Sequence, residues 1–112
     1  LPKLQAIAAK QYVPDTKTVL KTATEFQSMD EVPGTAALLK LVQEAAAECN
    51  LPQPTAKAVG GGSDSAYATA AGVPTICALG VQGARNHTAE EFAVVDTLFS
   101  RCKLFATIML NI

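Results

Sequence analysis

Apolar residues recur at helical spacing in three stretches and run without interruption in another. Residues 1–13 carry Leu4, Ile7 and Ala8 on one face, with Lys3, Gln5 and Lys10 off it, predicting the end of an amphipathic helix. Pro14 and Asp15 break that pattern. Residues 17–27 are threonine-rich with little helical signal, and they predict a partly exposed strand. A charged Pro-Gly stretch over 28–34 reads as a linker. Thr35 is then the expected N-cap of a helix over 36–49, with the stripe Leu38, Leu39, Val42, Ala45, Ala46 and Cys49. Asn50 is its expected stop, with Pro52 and Pro54 beyond.

The second half has a strand-and-helix rhythm. Residues 55–59 predict a short strand, and Gly60-Gly61-Gly62 a turn. Residues 63–71 predict a helix closed by Gly72. The continuous apolar run Val73 to Leu79 is the pattern of a strand buried on both faces. A loop over 80–93 follows. Asp96 is the expected cap of a last helix to about residue 110, with Leu98, Phe99, Cys102, Phe105, Ala106 and Met109 inward. Alternating helices and strands imply an α/β layered sheet with right-handed crossovers. The linker suggests two units. Residues 1–30 are too few to hold a core alone, and residues 31–112 carry the α/β rhythm.

Composition narrows the function classes. The 112 residues are 49% hydrophobic and 17% charged, which excludes a disordered tail. No stretch approaches the roughly 20 apolar residues of a spanning helix, so no membrane partner is expected. Nine basic and ten acidic residues give a net charge of −1, so no pull toward nucleic acid is expected. Cys49, Cys77 and Cys102 are widely spaced among apolar residues. They read as buried free thiols in a reducing, cytoplasmic compartment. A single histidine is a poor supply for a zinc enzyme, which usually needs about three or more metal ligands.

Two segments could carry chemistry. Gly60-Gly61-Gly62-Ser63-Asp64-Ser65 lies between a strand and a helix, where glycines let backbone N–H groups approach an anion. The same residues equally make a tight turn with Ser63 or Asp64 capping the helix. No lysine follows the glycines, so this is not a phosphate loop of the Walker type. The other segment, Gly83 to Phe92, holds His87 beyond a buried strand, where open α/β sheets place ligands. His87 can be a metal ligand, a general base or a plain surface residue. Spacing assembles no complete metal cluster or catalytic triad.

Taken in order, Gly61-Gly62-Ser63-Asp64, Gly72-Val73-Pro74, the glycines Gly80 and Gly83, and His87-Thr88-Ala89-Glu90-Glu91-Phe92 form one ordered pattern. It resembles the C-terminal part of the aminoacylase and glutamate carboxypeptidase family of dinuclear zinc metallopeptidases. That family also includes peptidase T, acetylornithine deacetylase and succinyl-diaminopimelate desuccinylase. The glutamate carboxypeptidase branch is the nearest, because a proline common in the glycine loop elsewhere is absent.

The resemblance implies that residues 31–112 end the catalytic domain, and that 1–30 are the last helix and strand of a lid or dimerisation domain. It places His87 on the family's last metal-ligand histidine, Gly60 to Asp64 on the turn lining the substrate pocket, and Glu91 on a supporting glutamate. Phe92 stands where a tyrosine is usual and so lacks its hydroxyl. The implied cofactor is a pair of zinc ions, with cobalt or manganese as substitutes. The implied substrate is a peptide or an N-acyl amino acid, and the implied assembly is a homodimer. The family's other ligands and its general base have no counterpart here, so the expectation is a fragment that is inactive alone. The alternative is a small α/β module that binds an anion without catalysis.

Overall fold

The computed structural model describes residues 1–23 and 25–112. The elements in order are α1 (Pro2–Ala8), α2 (Thr35–Glu48), α3 (Ser65–Ala70), β1 (Gly83–Ala84), β2 (Phe92–Ala93) and α4 (Val95–Leu110). The core lies between α2 and α4. Val42, Ala45 and Ala46 of α2 meet Leu104 and Ile108 of α4, and Leu41, Leu51, Ile76 and Leu79 pack around them. Small alanines on α2 let the two helices approach, and Leu104 fills the space at 0% exposure.

The α2 stripe is the one its periodicity predicts, but its start differs. Gly34 is the N-cap at φ +99°, and the Thr35 hydroxyl accepts the Val32 N–H at 3.2 Å instead of a helical one. Pro74 explains the glycine, because a Cβ on Gly34 would sit 2.8 Å from Pro74 Cγ. The predicted stop is correct. Asn50 takes φ +56°, and the N–H groups of Asn50 and Leu51 return to Ala47 and Ala46. Leu51 thereby folds back onto the core. The same device closes α3. Gly72 has φ +80°, and the N–H groups of Gly72 and Val73 return to Thr69 and Ala68.

The end of α2 is tied to α4 by polar contacts. The Thr107 hydroxyl donates to Lys103 O at 3.1 Å, so the Cys49 thiol is the donor across its 3.3 Å contact with Thr107 Oγ1. Asn111 Nδ2 donates to the Glu48 carboxylate at 3.3 Å.

Several expectations are corrected. Helix α1 ends at Ala8, short of residue 13, and it packs against no other described element. Residues 17–27 form no strand among those described; Thr24 of that stretch lies outside the described residues. Residues 55–59 and 73–79 are not strands either. A strand exists only where a second strand takes up its N–H and C=O groups, and among the described residues nothing pairs with either stretch. The Val73–Leu79 run is held instead through Ile76 and Leu79.

In α4 the N-cap is Val94, with Asp96 inside the first turn. Its predicted inward face is the bare one: Leu98, Phe99, Phe105 and Met109 are exposed, while Leu104 and Ile108 are buried. Leu104 and Ile108 stand on the side opposite that stripe, among Thr97, Ser100 and Arg101, so periodicity selects the wider apolar face while the narrower one packs on α2. Of the cysteines, all free, only Cys49 is buried; Cys77 and Cys102 are exposed.

Exposure on this scale is large for the chain's mass. The surface is 8880 Å², whereas a folded domain of this size shows about 5,900 Å². The radius of gyration is 20.0 Å against about 13 Å for a compact chain of this length.

Candidate functional site

A hairpin tip presents His87. Strands β1 and β2 pair antiparallel, Gly83 with Ala93 and Ala84 with Phe92. Gly83 is required here, since any Cβ would collide with the Phe92 carbonyl oxygen. The ladder continues through Val94 N–H to Gln82 O at 2.8 Å. Thr97 fastens the hairpin to α4. Its hydroxyl donates to Val94 O and accepts the Gln82 N–H at 2.9 Å.

The loop between the strands turns twice through the left-handed region, at Arg85 (φ +62°) and His87 (φ +65°). Thr88 stabilises the first turn by donating to Arg85 O from its hydroxyl at 2.8 Å and from its N–H at 3.2 Å. The same hydroxyl accepts the Glu90 N–H. Glu91 stabilises the second turn, as its Oε2 accepts the His87 N–H at 3.1 Å. The His87 imidazole is exposed. Beside it lies an open hollow lined by Val81, Gly83, Asn86, Glu91, Phe92 and Ala93.

The glycine turn is a second exposed place. Gly60 and Gly61 have open space around them, and Gly62 lies under the Phe26 ring. Phe26 also packs on Tyr67 of α3, ring centroids 5.6 Å apart. The Ser63 hydroxyl accepts the Ser65 N–H at 3.2 Å from just before the N-cap of α3, Asp64, which is exposed and makes no side-chain cap. Ser63 has a further partner that the spacing did not suggest, Cys77 Sγ at 3.1 Å. Hydrogen bonds from the Ser63 and Ser65 hydroxyls and from the Ala78 N–H favour the thiolate and hold the Cys77 pKa below the ordinary thiol value, against slight burial. The left-handed φ of Ala78, +63°, turns the chain just after this thiol. Cys77 was legible only as one apolar-run cysteine among three.

The hollow beside His87 is not lined by residues 60–64.

The sequence profile of Peptidase family M20/M25/M40 matches residues 9–111. The chain belongs to this family. The match spans nearly the whole chain, and this family is one of generally metal-dependent peptidases. No curated protein and no solved structure matches the chain.

An exposed imidazole on a braced loop is suited to be one zinc donor. Among the described residues no group of three or more His, Cys, Asp or Glu side chains converges to hold a metal. His87 is a lone exposed imidazole here, and the described residues close no metal centre around it. Among them, no helix is long and apolar enough to cross a membrane.

Proposed function

We propose that this chain is the C-terminal part of a zinc-dependent metallopeptidase or amidohydrolase acting on peptide or N-acyl amino acid amide bonds, of the glutamate carboxypeptidase-like kind. The observation that carries the reading is the family match over residues 9–111, within which His87 stands exposed on a braced hairpin. In this reading His87 is one ligand of a two-zinc centre, with cobalt or manganese able to substitute. Metal of this kind polarises the scissile carbonyl and lowers the pKa of water. The chain's own share is to hold the imidazole in place and, through Gly60, Gly61, Gly62, Ser63 and Asp64, to offer backbone N–H groups and a hydroxyl to substrate.

The bare apolar face of α4 and the unpaired Val73–Leu79 run support a larger catalytic unit in which a layered α/β sheet covers both. Residues 1–30, with α1 packed against no other described element, suit the end of a lid or dimerisation domain. A cytoplasmic homodimer, inactive as this piece alone, completes the reading.

The test is His87→Ala in the protein expressed from its complete reading frame. Zinc content and hydrolysis of peptide and N-acyl amino acid substrates are expected to fall together, because the metal supplies the nucleophile. Full zinc content in that variant would mean that His87 is not a ligand.

A further inference from the structure

We propose that Glu91 is a positioning residue: its carboxylate locks the main chain of His87 and so aims the imidazole. The inference rests on the reading of His87 as a metal ligand, but its mechanical part stands on geometry alone. Strands β1 and β2 contribute only two residue pairs, and a ladder that short is marginal by itself. Seven residues, Arg85 to Glu91, bridge it. They hold two left-handed residues, each of which costs energy without an external brace.

Thr88 braces the Arg85 turn through the Arg85 carbonyl. It does nothing of the kind at His87. There, Glu91 Oε2 accepts the His87 N–H at 3.1 Å, four residues back along the chain. The bond from the Glu91 N–H to Thr88 O at 3.2 Å holds the glutamate's own backbone in place. The carboxylate therefore closes the histidine half of the loop. Because the side chain leaves from the residue whose N–H is anchored, fixing that amide fixes the base from which the ring projects. Outer partners of this kind orient a metal ligand.

Two other roles would use the same glutamate differently. As a ligand it would need its charge, and as a solvated loop residue it would need nothing. Glutamine keeps the carbonyl acceptor for the His87 N–H and loses the charge. Alanine loses both. In the protein from the complete reading frame, two quantities separate the roles: zinc affinity by chelator competition, and hydrogen exchange at the His87 amide in the metal-free protein.

Glu91→Ala is expected to speed that exchange at least about tenfold and to weaken zinc binding about 10- to 100-fold. Glu91→Gln is expected to keep both within about threefold of the parent, a range small beside those losses. The proposal is overturned if Glu91→Gln loses zinc as severely as Glu91→Ala, which is the behaviour of a ligand. It is equally overturned if Glu91→Ala leaves the exchange unchanged. If His87→Ala keeps its zinc, the ligand reading fails on its own, and the exchange rates still decide whether Glu91 anchors the loop.

Discussion

Ser63 Oγ and Cys77 Sγ lie 3.1 Å apart, joining the glycine turn to the apolar run 14 residues further on. Ser63 already accepts the Ser65 N–H, so its own hydrogen is free to point at sulfur. Hydroxyl donation stabilises the thiolate and lowers the thiol pKa.

Cys77 is therefore expected to be the fastest of the three cysteines to alkylate. Cys49 is buried, and among the described residues no side-chain hydrogen bond reaches the exposed Cys102 thiol. The pH at which the Cys77 rate reaches half its plateau should lie below that of an ordinary thiol. Removing the main donor with Ser63→Ala should move that midpoint upward, because the thiolate loses its support. Mass-spectrometric alkylation rates against pH measure this. A midpoint unmoved by Ser63→Ala would show that the contact does not set the thiol's acidity.

Gly83→Ala introduces a Cβ where the Phe92 carbonyl oxygen already sits. The two-pair ladder cannot open at that point without losing its register. The expected cost is roughly 1–3 kcal/mol in thermal unfolding, typical of an over-packed position. Faster amide exchange over residues 82–94 should accompany it. Ala84→Gly on the same strand should cost less, as it removes a side chain from an exposed position.

Ala78 stands at φ +63°, where a side chain costs roughly 1–2 kcal/mol and glycine costs none. Ala78→Gly also frees the unfolded chain, which subtracts about 0.4–1 kcal/mol. Strain relief is the larger effect over most of these ranges, so the substitution is expected to stabilise by up to about 1.6 kcal/mol. Chemical denaturation checks the sign. Destabilisation would indicate that the Ala78 methyl makes a packing contact worth more than the strain.

The two faces of α4 give a paired prediction. Leu104→Ala empties the centre of the α2–α4 contact and should cost about 2–5 kcal/mol. Phe99 is 72% exposed, and a surface substitution there would normally be within about 0.5 kcal/mol. In the protein from the complete reading frame the proposed covering sheet would bury that ring, and Phe99→Ala should then cost about 3–5 kcal/mol. A near-neutral Phe99→Ala would sink the covered-face reading.

Much of the helical architecture was legible in the residues. The α2 stripe ending at Cys49, the Asn50 stop and the Gly72 closure all depend on neighbours a few positions away, and local spacing encodes them. The glycine turn between residues 60 and 62 was visible for the same reason, but the β1–β2 hairpin inside the stretch 80–93, which reads as a plain loop, was not. Phe26, however, lies over Gly62, which no spacing announced.

By itself the sequence determined which segments are helical and where α2, α3 and α4 stop, which residues are chemically able, and the ordered motifs that point to a peptidase family. Those are properties of spacing and side-chain type. Only the tertiary structure decided which face of α4 meets α2, that Cys77 is an exposed thiol beside Ser63, and that the Glu91 carboxylate anchors the His87 amide. An apolar helix fits a core by either face, and a thiol or carboxylate takes its partner from whatever the chain's turns bring near. Those choices depend on packing between distant segments, where one residue's environment is made by others far along the chain.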